Sequence, residues 1–372
     1  MTRRVFLLMG LAILAVVLSH AAGWGQIAMF NWTDRYLPVT VPNYDQVGTL
    51  PDYILLAIRQ MTAFAVPAFL FCSGFFVAFA SRGNRGVFTW RMVRVRLINL
   101  LIPYLIWSVL WYILDALQGH VYPAGEYVVR LLTGNASGGS YYFVPLVCQF
   151  YLLSPLIVRL AQTHPRWLLV VAGSLQLAAF GFKYLEIFKV DVSGLSAFSA
   201  VMTAHWLIFL WAIYFPLGIV CGLYSERIRL AAQRHYRAIL LALAGSLLLA
   251  ILEPELIYRR LNVEIRFVPL TIPPALYSLL LVFSFVMFDR IKVPLANSLY
   301  HLGGKSYGIY LVHLKAMEFT SRLIRQITPM LLAFPVTVML PVTVVIGLAV
   351  PLLFMRWVAR SRWRRAYRYL FG

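Results

Sequence analysis

The first apolar run of the chain, LLMGLAILAVVLSH, closes on His20. If Val5 lies near the inner interface of a membrane, the helix between them raises His20 by roughly 22 Å, to the outer end of the hydrocarbon. An imidazole ordinarily titrates close to neutrality, so one held there can take the proton of an attacking hydroxyl. The plain alternative is an interfacial histidine satisfied by water or a carbonyl. A second histidine, His313, falls inside another apolar run with Lys315 and Glu318, whose i, i+3 spacing lets them pair. Ionisable groups in such runs face a bundle interior or a water-filled cavity, because lipid exposure is costly. His313, Lys315 and Glu318 are therefore candidate cavity-lining groups, as are Arg59, Ser73, Tyr142, Gln149 and Tyr151.

A third cluster, Arg91, Arg94 and Arg96, leads into the proline-containing run RMVRVRLINLLIPYLIW. Guanidinium forks match phosphate geometry, so these three are candidates to hold a phosphorylated ligand, against the plainer reading of a topological charge cluster. The histidines are scattered, and no HxxxH or HExxH spacing occurs, so no metal site is expected. Cys72, Cys148 and Cys221 all sit in apolar runs and read as packed thiols.

The elements that must position these groups are membrane helices. Of 372 residues 61% are hydrophobic and only 12% charged, with a mean hydropathy of +0.78, which leaves too little polar surface to cover a soluble globule. Long apolar segments argue for an all-α polytopic bundle and against the short alternating strands of a barrel. A span needs about 20 residues, and that length marks ten segments: 5–23, 53–80, 97–117, 141–160, 167–187, 204–224, 238–252, 269–288, 306–324 and 334–358.

With both termini placed in the cytoplasm, 22 of the 33 Lys and Arg residues fall on the inner side, together with only Glu226 and Asp289 among the acids. The inner face then carries the whole net charge of +20, which is the positive-inside signal and gives a nucleic-acid role little support. The basic end of the chain, 359–372, is predicted to lie as a cytoplasmic tail on anionic lipid. The first run also fits a signal peptide, with Arg3 and Arg4 ahead of it and Ser19 and Ala21 at cleavage spacing. Charge counting alone does not exclude that reading.

Five stretches in order, LLMGLAILAVVLSH, VPAFLFCSGFF, RMVRVRLINLLIPYLIW, SYYFVPLVCQFYLLSP and GKSYGIYLVHLKAMEF, resemble the acyltransferase-3 superfamily of integral-membrane acyltransferases. The resemblance implies a membrane acyltransferase-like domain over 1–358 in a cell membrane, expected to be the bacterial inner membrane. It implies transfer of an acyl group, acetyl or succinyl, from cytoplasmic acyl-CoA to a hydroxyl of an extracytoplasmic glycan or glycolipid. Acyl-CoA, with acetyl-CoA first, is then a co-substrate, no permanently bound cofactor is expected, and separate glycan-assembly proteins are expected partners. His20 is the implied catalytic group, Arg91, Arg94 and Arg96 the implied CoA-phosphate ligands, and the first run a retained helix. The family pattern has a basic residue where this chain has Met9, and a second arginine where it has Asn99. These departures keep a second reading open, an exporter of glycan or lipid that uses the same cavity without chemistry.

Overall fold

The computed structural model describes residues 2–82, 87–136, 140–191, 193–261, 270–288 and 292–372. Arg85, Asp289 and Arg290 of the inner-face charge count, and 137–139 of the glycine-rich outer linker, lie outside them. The chain forms helices α1 (Thr2–Phe30), α2 (Leu50–Met61), α3 (Ala65–Arg82), α4 (Trp90–Leu117), α5 (Ala124–Thr133), α6 (Phe143–Thr163), α7 (Pro165–Ile187) and α8 (Ser196–Thr203). These are followed by α9 (Tyr214–Leu223), α10 (Ser225–Arg234), α11 (Tyr236–Leu261), α12 (Ile272–Met287), α13 (Ala296–Gly303), α14 (Ser306–Ile327), α15 (Leu340–Arg360) and α16 (Tyr367–Phe371). Among the described residues there is no strand, and the protein is an all-α, multi-pass membrane protein.

Seven helical segments are long and apolar enough to cross a membrane: α1, α2 with α3, α4, α6, α7, α11, and α15 with the π-helical turn before it. Each of the ten apolar stretches holds helix, but three depart from a plain span. Stretch 204–224 becomes a 3-10 turn and α9, and the chain then bends by 102° into α10, whose SERIRLAAQR sequence is too polar for hydrocarbon. In 269–288, α12 is only 16 residues long. In 306–324, α14 has 22 residues but carries four charged side chains, Lys315, Glu318, Arg322 and Arg325.

α1 runs through the centre, packed on α2, α3, α13, α14 and α15, whereas α4, α7, α11 and α15 are peripheral. Its sequence is apolar all round, as a helix enclosed by others requires. Two glycine crossings hold this centre, since hydrocarbon gives no hydrophobic drive between helices and close backbone approach supplies the packing. At the α3–α9 crossing a Cβ on Gly74 would stand 2.1 Å from the Phe215 carbonyl oxygen, and one on Gly218 2.1 Å from that of Phe71. At the α1–α13 crossing Gly10 and Gly303 face the Leu299 and Phe6 carbonyls in the same way. The second crossing gives the inner linker a helix that the apolar pattern does not announce. His301, which reads as a loop residue, lies in α13.

The basic tail does not simply lie on lipid. Arg362, Arg364 and Arg365 are exposed, but α16 folds back against α4, α14 and α15 and buries Phe371 in the core beside Trp107. The Trp107 indole N–H donates to the Leu370 carbonyl at 2.8 Å. An apolar residue every third or fourth position, as at Tyr367, Leu370 and Phe371, marks the docking face within the run of arginines.

Gly218→Ala tests the central crossing. The added methyl should lower the thermal midpoint of the purified protein despite alanine's better helix propensity of about 1 kcal/mol. Gly245→Ala in α11, where a Cβ meets nothing within 4 Å, should leave that midpoint unchanged or raise it.

Candidate active site

α1 carries both ends of the site. Met9 and His20 line the same cavity of about 480 Å³, and the step of eleven residues from one to the other corresponds to about 16 Å of helix rise. At the Met9 end the walls are Cys72, Ser73 and Phe76 of α3, Leu100 of α4 and Tyr307 of α14. At the His20 end they are Arg59, Thr62, Ala63, Tyr142 and His205. The cavity therefore follows α1 from Met9, the end nearer the arginine cluster of α4, to His20.

A break in the second span opens its upper wall. α2 stops at Met61 and α3 starts at Ala65, with Pro67 in the first turn of α3, where its missing N–H is tolerated. The Thr62 hydroxyl donates to the Ile58 carbonyl at 2.8 Å and the Arg59 carbonyl at 3.0 Å, satisfying part of the interrupted ladder. Irregular backbone at membrane depth is tolerated where it lines a cavity, and Thr62 and Ala63 do so. The same break sets Arg59 on the wall, where its Nη1 donates to Gln26 Oε1 of α1 at 2.5 Å.

Behind His20 stands His313 of α14, with the two rings 5.4 Å apart between centroids. His313 is fully buried. Its Nδ1 lies 3.1 Å from the Ile309 carbonyl oxygen and 2.9 Å from that of Tyr310. Carbonyls only accept, so Nδ1 carries the proton and Nε2 is left as an acceptor; no hydrogen-bond partner for it is present among the described residues. Tyr310 adds its ring to the cavity wall, 6.2 Å from that of His313.

Below the cavity, the half-buried Arg96 donates from Nη2 to the Phe76 carbonyl at 3.1 Å, and its guanidinium lies 5.7 Å from the Phe88 ring centre and 5.4 Å from that of Tyr151. Phe76 and Tyr151 are both wall residues, so Arg96 sits against the outside of that wall, while Arg94 and Arg91, two and five residues earlier in α4, are exposed. Asn99 accepts at Oδ1 from Arg368 Nη2 of α16 at 3.1 Å. Arg3 and Arg4 are held elsewhere, Arg3 on Asn297 at 2.8 Å and Arg4 on the Phe285 and Phe288 carbonyls at the end of α12.

A family model described as an acyltransferase domain matches residues 7–356, which include every residue of the cavity wall. The chain belongs to the acyltransferase-3 family. No curated protein and no solved structure matches it.

Within this acyltransferase-3 protein, the residues singled out from the sequence divide into two groups. His20, Arg59, Ser73, Tyr142 and Tyr151 line one cavity, and His313 backs it. Gln149, Lys315 and Glu318 do not line it. The Gln149 amide is used up on the Pro145 and Trp206 carbonyls, at 3.1 and 2.8 Å, and ties α6 to the segment before α9. Lys315 turns toward α4, with Nζ 3.3 Å from Asp115 Oδ1 and 3.1 Å from Glu318 Oε2, and Glu318 also takes Arg322 at 2.6 Å. Both charges on α14 are thus spent on a staple between two helices.

His205 is the wall residue that the sequence reading passes over. Its ring meets Tyr142 edge-on at 4.8 Å, and its backbone carbonyl accepts from the Trp211 indole at 2.9 Å. Its one signal in the sequence is an ionisable side chain at the head of an apolar stretch.

Cysteine reactivity checks the wall. With Cys72, Cys148 and Cys221 replaced by serine, Ser73→Cys should react with a small water-soluble thiosulfonate much faster than Ser278→Cys, whose parent serine is buried away from the cavity and bonded to the Pro274 carbonyl. Equal rates would contradict the cavity.

Proposed function

We propose that the protein transfers a short acyl group, acetyl first, from cytoplasmic acyl-CoA to a hydroxyl of an extracytoplasmic glycan or glycolipid, in a bacterial plasma membrane with both termini inside. The observation that carries this reading is the single cavity that joins the arginine-rich inner mouth to His20. The CoA phosphates rest on Arg96 with Arg91 and Arg94 nearby, and the pantetheine arm rises past Met9 and Ser73 toward His20. The largely apolar wall suits an uncharged arm and keeps bulk water from the thioester.

His20 acts as general base. Its free ring nitrogen takes the proton of the acceptor hydroxyl as the oxygen attacks the thioester carbonyl. The carbonyl electron pair returns, the C–S bond breaks, and the imidazolium gives its proton to the departing CoA sulfur. Arg59 and the Tyr142 hydroxyl stand on the same wall as donors for the transient oxyanion. His313 positions the base: its Nε2 is an acceptor fixed by the Nδ1 contacts, and an N–H of His20 turned toward it leaves the other His20 nitrogen for the hydroxyl.

One departure from the family pattern, Asn99, has an answer at the inner mouth, whereas Met9 has none. Arg96, at the first arginine position of that pattern, stands beneath the cavity, held by Phe76 and Tyr151. In place of an arginine at Asn99, the guanidinium of Arg368 is brought to Asn99 by α16.

Purified protein in proteoliposomes given radiolabelled acetyl-CoA should turn it over in the presence of acceptor, and His20→Ala should lower the rate by about 10²–10⁴-fold. Absence of turnover with every short acyl-CoA, while glycan efflux persists, would overturn the reading in favour of export. Arg96→Ala and Arg368→Ala should each raise KM for acyl-CoA, with an effect that shrinks as salt is raised. Arg259→Ala, an exposed pair partner of Glu255 on α11, should leave KM unchanged.

A further inference from the structure

A second cavity, of about 640 Å³, lies at the far ends of α1 and α14, bounded by Trp24, Trp32, Arg35, Arg322 and Arg325. Its volume falls in the range of small-molecule sites, about 300–1,000 Å³. Two features give it a chemistry. The Trp24 and Trp32 rings, 5.6 Å apart, form one aromatic wall. The guanidinium of Arg325 lies 5.1 Å from the centre of the Trp32 ring, so a cation is held in place there without an anion.

The charges are not balanced. Arg322 is neutralised by Glu318 at 2.6 Å and bonds Gln118 at 3.2 Å. Arg35 and Arg325 form no ion pair among the described residues. Two uncompensated guanidinium groups thus face a concavity walled by indoles. Indole faces take the apolar C–H face of a pyranose, and guanidinium forks take a carboxylate in bidentate geometry.

Position ties this cavity to the first. Trp24 follows His20 by four residues and so stands on the same face of α1, about 6 Å further out. A ligand seated against Trp24 therefore has its next unit within reach of His20.

We propose that the outer cavity binds an acidic saccharide, a sugar unit bearing a carboxylate, as the part of the acceptor next to the hydroxyl that receives the acyl group. The acceptor role rests on the acyl-transfer reading; the binding does not. Specificity for an acidic glycan comes from Arg35 and Arg325, and orientation from the two indoles.

The test is a titration of the full-length protein in phosphatidylcholine nanodiscs, without acyl-CoA, with tetragalacturonate and with the neutral maltotetraose, read by calorimetry. Saturable binding of the acidic tetrasaccharide is expected, at least about tenfold tighter than the neutral one and weakened by salt. The double variant Arg35→Gln with Arg325→Gln should lose about tenfold or more in affinity, Trp32→Phe should weaken it as well, and His20→Ala should bind as the wild type does. Monodispersity of each variant checks folding. Absence of binding, equal binding of both saccharides, or unchanged binding by the double variant and Trp32→Phe would overturn the proposal. If tetragalacturonate binds as expected but acyl-CoA is never turned over, the acyl-transfer reading fails and the binding site stands. If acyl-CoA is turned over with other acceptors while tetragalacturonate does not bind, the site fails and the acyl-transfer reading stands.

Discussion

Two imidazoles meet in the middle of a hydrophobic bundle, His20 on α1 and His313 on α14, with 5.4 Å between ring centres. Neither can face lipid without leaving polar nitrogens unsatisfied in hydrocarbon. His313 meets that constraint at Nδ1 through two carbonyls of its own helix, and His20 meets it by opening onto a cavity. The rest of the bundle follows from keeping that cavity in place. α1 must be central, the glycine crossings bring α3, α9 and α13 close to it, and the break between α2 and α3 gives the cavity its upper wall. The Lys315, Asp115 and Glu318 staple fixes α14 to α4, and so fixes the depth at which His313 is presented.

Much of this is legible in the sequence, and the unreadable part has a physical reason. Apolar run length marks each of the seven segments long and apolar enough to cross, because hydrocarbon thickness imposes a length that no soluble fold requires. His20, Arg59, Ser73, Tyr142 and Tyr151 share a wall because an ionisable or polar group in an apolar run has few other places to go. The same rule misplaces Lys315 and Glu318, since a charged group in a membrane helix can also be satisfied by a partner on a neighbouring helix. Asp115 lies 200 residues earlier in the chain. Gln149 escapes for the same reason, with one of its two acceptors far along the chain at Trp206. α13, α16 and the bend at α9 are set by glycine contacts and by interfacial packing, neither of which leaves a run long enough to read as a span.

Below the cavity a guanidinium reaches Asn99 from Arg368, and the helix that delivers it is locked by Trp107 and Phe371. Met9 leaves the middle of the cavity without a cation from α1, and the nearest guanidinium to its walls from below is that of Arg96, packed on Tyr151. Under the proposed transfer, the arginine charge gathers below the Met9 end of the cavity, and the apolar stretch past Met9 suits an uncharged pantetheine arm better than a charged ligand in transit.

The proposed passage of the thioester inside the bundle to His20 is open to photo-crosslinking with a short acyl-CoA whose acyl group bears a diazirine, mapped by mass spectrometry of the purified protein. Adducts are expected on cavity-wall residues near His20, such as Ser19, Ala63 and Tyr142, and are expected to vanish when excess unlabelled acetyl-CoA is added. Adducts confined to exposed inner-face residues, or unchanged by that competition, would contradict it.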